Sequence, residues 1–232
     1  MANTAVVYDR EYNGKTYTLE ASGGLINASL VMQDKETDSY WAIMTGEVIA
    51  GKLKGLKMRE LPVAQKMKWK EWKQKYPQTL VLSVNGWEDA PEGYRGYFES
   101  ERGFRGISAR DRRLKTKEPI FAFRYEGRPY AVPHAAFVGG KVFQIGDAKV
   151  FLYRPEGAEL FYSTHAYLSG GKGFERRNGV WVDVDSGCRF NASTGRFEGQ
   201  ADSCPSPLAG FDTFWYTWSL SNPETEVLGY TH

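Results

Sequence analysis

Cysteine, histidine and long apolar runs are scarce in this chain. Its 232 residues include only two cysteines, Cys188 and Cys204, and three histidines, His134, His165 and His232. Two cysteines leave open a single disulfide in an oxidising compartment or a pair of structural thiols. No run of about 18 apolar residues is present, which excludes a membrane-spanning helix. The chain enters a strand-like run directly after Met1, with no signal peptide. It reads as a cytoplasmic protein or as a mature or trimmed form of an exported one. The net charge of +2 gives no global field that would draw nucleic acid or an anionic membrane.

Catalytic signatures are also missing. Gly170-Gly171-Lys172-Gly173 lacks the earlier glycine and the following Ser or Thr of a phosphate-binding loop, so a turn is expected there. No Gly-x-Ser-x-Gly elbow occurs. Nothing in the spacing joins Ser22, before Gly23-Gly24, to His134.

What is abundant is aromatic side chains, at 15%, and glycine, at 25 residues, a mixture that suits short strands and tight turns. The chain also repeats itself. Asp34, Thr37, Thr45 and Gly46 correspond without a gap to Asp183, Ser186, Thr194 and Gly195. Further on, Trp69, Trp72, Pro77, Thr79 and Val81 correspond to Trp215, Trp218, Pro223, Thr225 and Val227. Such a pattern points to an internal duplication. Shared residues are then scaffold, and residues that break the symmetry are the place to look for chemistry.

The expected organisation is one compact domain in three parts: a first repeat over 1–84, an insertion over 85–141, and a second repeat over 142–232. Hairpins are expected over 4–21, around Asn13-Gly14, and over 120–132, around Glu126-Gly127. Strands are expected over 28–33, 39–44, 142–153 and 159–163. Apolar spacing predicts helices over Val63–Tyr76, stopped by Pro77, and over Phe211–Leu220. The lysine-rich run Lys66–Lys75 is a solvated face, since its counterpart, Asp212–Ser219, keeps both tryptophans and has no lysine. The fold class is therefore β-rich α+β. Two pseudo-repeats, each with a small antiparallel sheet and one Trp-bearing helix, pack around a shared core of Trp41, Trp69, Trp72, Phe190, Trp215 and Trp218.

The runs Ala5–Arg10, Ala21–Asn27 and Leu30–Trp41, with Thr45-Gly46-Glu47, Gly51, Gly55 and Pro77-x-Thr79–Ser83, resemble a known family. It is the domain-of-unknown-function family DUF3179. The resemblance covers nearly the whole chain, Asp183–Val227 resembling the family's C-terminal portion. It implies an extracytoplasmic location, with a cytoplasmic one as the alternative. Members commonly carry a Cys-x-x-Cys motif just before the stretch matching Asn3-Thr4-Ala5. Met1-Ala2 stands there, so no thiolate role of that motif carries over.

Candidate site residues follow from asymmetry and from the irregular stretch 85–117. Asp9 and Arg10, whose counterparts are Arg154 and Pro155, form with His134 the candidate catalytic set. His134, His165 and Cys188 are the candidate ligands for a transition metal, although no pair has metal-ligand spacing. Asn27 and the aromatics Trp87, Tyr94, Tyr97 and Phe104 are the expected ligand contacts, with 85–117 roofing a cleft between the repeats. The expected function is binding of a small molecule or metal ion in that cleft, with no nucleic-acid partner. The alternative is a metal-assisted oxidoreductase or hydrolase.

Overall fold

The computed structural model describes residues 2–81, 94–200 and 203–230. Strands β1 (Val7–Tyr8), β2 (Glu11–Tyr12) and β3 (Lys15–Thr16) lead into a meander. The meander consists of β4 (Leu19–Ile26), β5 (Ser29–Asp34), β6 (Tyr40–Ala42) and β7 (Glu47–Ala50). β8 (Glu60–Leu61) returns to pair with β1. Helices α1 (Trp69–Lys75) and α2 (Arg95–Glu99) follow. Then come the hairpin β9 (Pro119–Tyr125) and β10 (Arg128–Pro133), and strands β11 (Lys141–Ile145), β12 (Ala148–Tyr153) and β13 (His165–Ser169). A second meander contains β14 (Phe174–Arg177), β15 (Val180–Asp183), β16 (Arg189–Asn191) and β17 (Arg196–Glu198). The chain closes with β18 (Ser206–Pro207), β19 (Gly210–Phe214), helix α3 (Trp215–Ser221) and β20 (Glu226–Val227).

Both meanders are four-stranded and antiparallel, with strands in sequence order, and the same local hydrogen bonds shape their turns. The Asp34 carboxylate accepts the Thr37 amide at 2.6 Å, and Asp183 accepts the Ser186 amide at 3.0 Å. Each hydroxyl closes on the same carboxylate, a short side-chain-to-backbone motif that needs no distant partner. Gly46 and Gly195 end the next turns at φ +69° and +68°, a region that favours glycine. Behind these turns Trp41 and its counterpart Phe190 are buried. Trp41 also donates its indole N–H to Asp34 at 2.9 Å.

The central sheet orders as β19-β9-β10-β20. One hairpin face, Ile120, Ala122 and Ala131, packs on Phe211, Trp215 and Trp218. The other, Phe121, Phe123, Tyr130 and Val132, packs on Val150 and Leu152 of β12. Each fully buried aromatic contributes roughly 2–3 kcal/mol of transfer free energy.

Several sequence expectations are corrected. Residues 63–68 are not helical, and α1 buries no side chain. Trp69 is 52% exposed and Trp72 is only partly covered, so neither belongs to a shared core with Trp215 and Trp218. Phe211–Phe214 is strand rather than helix, because it sits in the sheet edge to edge with β9 and is buried throughout. Residues 142–153 fold back as two strands. Residues 159–163 form no strand, since the buried Arg154 guanidinium curls them by binding the carbonyls of Glu159 at 2.7 Å and Tyr162 at 2.5 Å.

Candidate functional site

Asp212 is the polar centre of the molecule. β19 carries it into the core, where the side chain is 4% exposed. Its carboxylate accepts the Thr164 amide at 2.8 Å and the Thr164 hydroxyl at 2.5 Å. It also lies 2.8 Å from His134 Nε2 and 3.5 Å from Arg154 Nη1. Burial by itself would raise its pKa. The His134 hydrogen bond, with the Lys66 and Arg154 charges behind it, outweighs that and holds it at about 2. Asp212 is thus an anion across the whole physiological range.

His134 opens a short 3-10 turn after Pro133. Burial depresses its pKa against the opposing pull of Asp212, and the Arg154 and Lys66 charges depress it further. A neutral imidazole donating Nε2–H to the carboxylate is the state this arrangement favours, which leaves Nδ1 as the basic nitrogen. His134 and Arg154 both line a cavity of about 270 Å³ with Pro119, Ala135 and Leu160.

Lys66 approaches from the segment just before α1. It stands three residues before Trp69, as Asp212 stands three before Trp215, with the opposite charge. The Lys66 amide donates to Ser163 Oγ at 2.5 Å and its ammonium to the Asn3 carbonyl at 3.0 Å. Burial lowers its pKa, with Asp212 opposing the shift.

On the far side of Ser163 lies an open cleft between the α1 segment and the second meander. It comprises adjoining cavities of about 870 and 620 Å³ that share Ser163, His165, Thr194, Arg196 and Cys204. Lys66, Glu71, Lys75 and Tyr76 are among the other residues lining the larger one. The His165 imidazole rests on Gly195: a Cβ there would lie 2.0 Å from Cε1, so glycine is required by approach as well as by backbone angle. Burial lowers the His165 pKa, with Asp212 opposing. Arg196 and Lys75 are exposed and form no ion pair among the described residues. The carboxylates beside them are engaged: Glu71 accepts the Tyr162 hydroxyl, and Glu198 accepts Asn191 and Thr194 at 2.9 Å each.

The other expected residues scatter. Asp9 pairs with exposed Arg59 at 2.8 Å, and Asp9 and Arg10 line a separate cavity of about 120 Å³, so the set Asp9, Arg10, His134 does not come together. The Asp9 carboxyl is held below its usual range chiefly by the Glu11 amide. Cys188 is disulfide-bonded to Cys204 and offers no thiolate. Among the described residues, no three His, Cys, Asp or Glu side chains are grouped to hold a metal ion, so His134, His165 and Cys188 do not assemble one. Asn27 donates to the Leu220 carbonyl at 3.1 Å, tying the first meander to α3. Tyr97 bonds Tyr216 at 3.0 Å, and Phe104 packs in the same cluster, while Tyr94 is exposed. None of these three lines the cleft, so the described part of 85–117 braces α3 rather than forming a roof. Trp87 lies outside the described residues.

Asp212, Arg154, Thr164 and Lys66 escaped the sequence reading. One signal was available: Lys66 stands three residues before Trp69, as Asp212 stands three before Trp215, with the opposite charge.

These features define a class: a β-rich protein built on a recurring meander, with a polar cleft beside a buried Asp–His pair. More particularly, the chain belongs to the family described as "Protein of unknown function (DUF3179)", whose model matches residues 1–225. No curated protein and no solved structure matches it.

Proposed function

We propose that this protein binds a small anionic molecule in the cleft between α1 and the second meander. One observation carries the reading. Arg196 and Lys75 face a cleft of ligand size without ion-pair partners, while the neighbouring carboxylates are already hydrogen-bonded. Lys66 and His165 add cationic or donor character, and Ser163 and Thr194 add hydroxyl donors. Arg196 suits a bidentate contact with carboxylate or phosphate. The Cys188–Cys204 disulfide at the cleft wall supports an extracytoplasmic location.

Calorimetric titration with a panel of small carboxylates and phosphate esters at low salt tests this. At least one member should bind, with affinity at least tenfold weaker in Arg196→Ala and reduced by added salt. A panel without binders, or a binder indifferent to Arg196→Ala, refutes the reading.

A second reading, catalysis, is favoured by the His134–Asp212 dyad, whose orienting carboxylate and neutral imidazole suit a general base beside the 270 Å³ cavity. Turnover of any panel compound should then follow an ionisation below the usual histidine range and vanish in His134→Gln. Turnover that survives His134→Gln removes it.

A further inference from the structure

We propose that the face made by residues 63–81 is a docking site for a β-hairpin with small aliphatic side chains on one face. The argument is a comparison of two segments with the same local structure and different surroundings. Helices α1 and α3 are each seven residues long, and each begins from an extended residue, Lys68 at ψ 144° and Phe214 at ψ 144°. Each ends the same way, with the Tyr76 amide on Trp72 O at 2.8 Å and the Asn222 amide on Trp218 O at 2.8 Å. The following turn is also shared, closed by Thr79 on Tyr76 and by Thr225 on Asn222.

Around α3 the segment is complete. β19 before it pairs with β9, β20 after it pairs with β10, and Ile120, Ala122 and Ala131 of that hairpin cover Trp215 and Trp218. The first amides of α3, Trp215 and Tyr216, reach the carbonyls of Glu118 and Thr116 at 2.9 and 3.0 Å.

Around α1 every one of these partners is missing among the described residues. Residues 64–68, equivalent to β19, join no ladder, nor do Leu80 and Val81, equivalent to β20. The Trp69 and Lys70 amides meet no acceptor among the described residues. The apolar side chains are left bare: Val63 is 60% exposed, Trp69 52%, Tyr76 41%, Leu80 93% and Val81 57%. Exposed apolar groups concentrated in one short segment mark an interaction surface.

The occupant is specified by what the second repeat uses. Its first arm pairs antiparallel with 64–68, its second pairs in parallel with Leu80-Val81, and Ile, Val or Ala side chains face the indoles. Exposed Lys70 and Lys73 on α1 favour acidic residues at its rim. Residues 63–67 and Tyr76 also line the ligand cleft, but the proposal rests on the bare α1 face and its unpaired flanks and not on the cleft reading.

A synthetic, turn-stabilised peptide with the sequence of residues 115–134 is the probe, titrated into the whole protein and followed by amide exchange and tryptophan emission. The expected result is at least tenfold slower exchange at 64–68 and 80–81, with a blue shift that is absent in Trp69→Phe. A peptide with Asp at the positions of Ile120 and Ala122 should leave both signals unchanged. Unchanged exchange at 64–68, or protection confined to 210–214, overturns the proposal. So does sedimentation showing that the untreated protein already buries this face in a dimer.

Discussion

Trp215 matches Trp69 in the sequence correspondence, as Trp218 matches Trp72, but the two members of each pair sit in different surroundings. The comparison of Trp215→Ala with Trp69→Ala therefore separates local structure from packing. Trp215 is 0% exposed and packs on Phe211, Ile120 and Ala122, whereas Trp69 is 52% exposed. Truncating a fully buried Trp costs about 3–5 kcal/mol, because the cavity it leaves collapses only in part. For a chain of this size that lowers Tm by roughly 6–20 °C. Trp215 also donates its indole N–H to the Asp111 carbonyl at 2.9 Å, so truncation strands a half-buried acceptor as well. Trp69→Ala should change stability by no more than about 1 kcal/mol, as for a surface substitution. Differential scanning calorimetry and urea unfolding of both variants provide the measurement. Equal losses, or a larger loss at Trp69, would refute the claim that one motif sits in two environments.

The Asp212 carboxyl, at about 2 when folded against a reference of 3.8, contributes stability that is present above the unfolded pKa and lost as pH falls through the folded one. The unfolding free energy from urea titrations should thus fall between about pH 5 and 2 by about 2 kcal/mol from this group, and Asp212→Asn should flatten that limb; an unaltered limb contradicts the assignment. Gly195→Ala should cost about 1–3 kcal/mol and displace His165, whose ring occupies the Cβ position, and thermal unfolding with His165 resonances monitors both. Gly127→Ala, with φ +78° but open space around it, should lose only about 1 kcal/mol, and comparable losses at the two sites would argue against the His165 contact. Reducing Cys188–Cys204, which spans 16 residues, should lower stability by about 3 kcal/mol, read as a Tm drop with added dithiothreitol. A Tm indifferent to reductant would mean that the thiols are unpaired.

The short-range features were legible because neighbours in sequence produce them. Asp34 with Thr37 and Asp183 with Ser186 build their turns from their own amides and hydroxyls, and Gly46 and Gly195 meet a backbone angle that other residues resist. The helix–turn units after Trp69 and Trp215 repeat for the same reason, down to the bonds at Tyr76 and Asn222. The disulfide was one of two open readings of Cys188 and Cys204, and their approach settles it.

What only the tertiary structure decided is which copy of a local motif is buried and which charges meet. A hairpin of sequence-distant residues covers Trp215 and leaves its twin Trp69 in solvent, so apolar periodicity alone could not tell core from surface. Asp212 meets His134 across 78 residues and Thr164 across 48. Arg154 reshapes 159–163 by claiming its carbonyls, overriding an apolar run that reads as strand. Local propensity acts over a few residues, whereas desolvation and charge pairing depend on contacts that exist only once the sheets have packed.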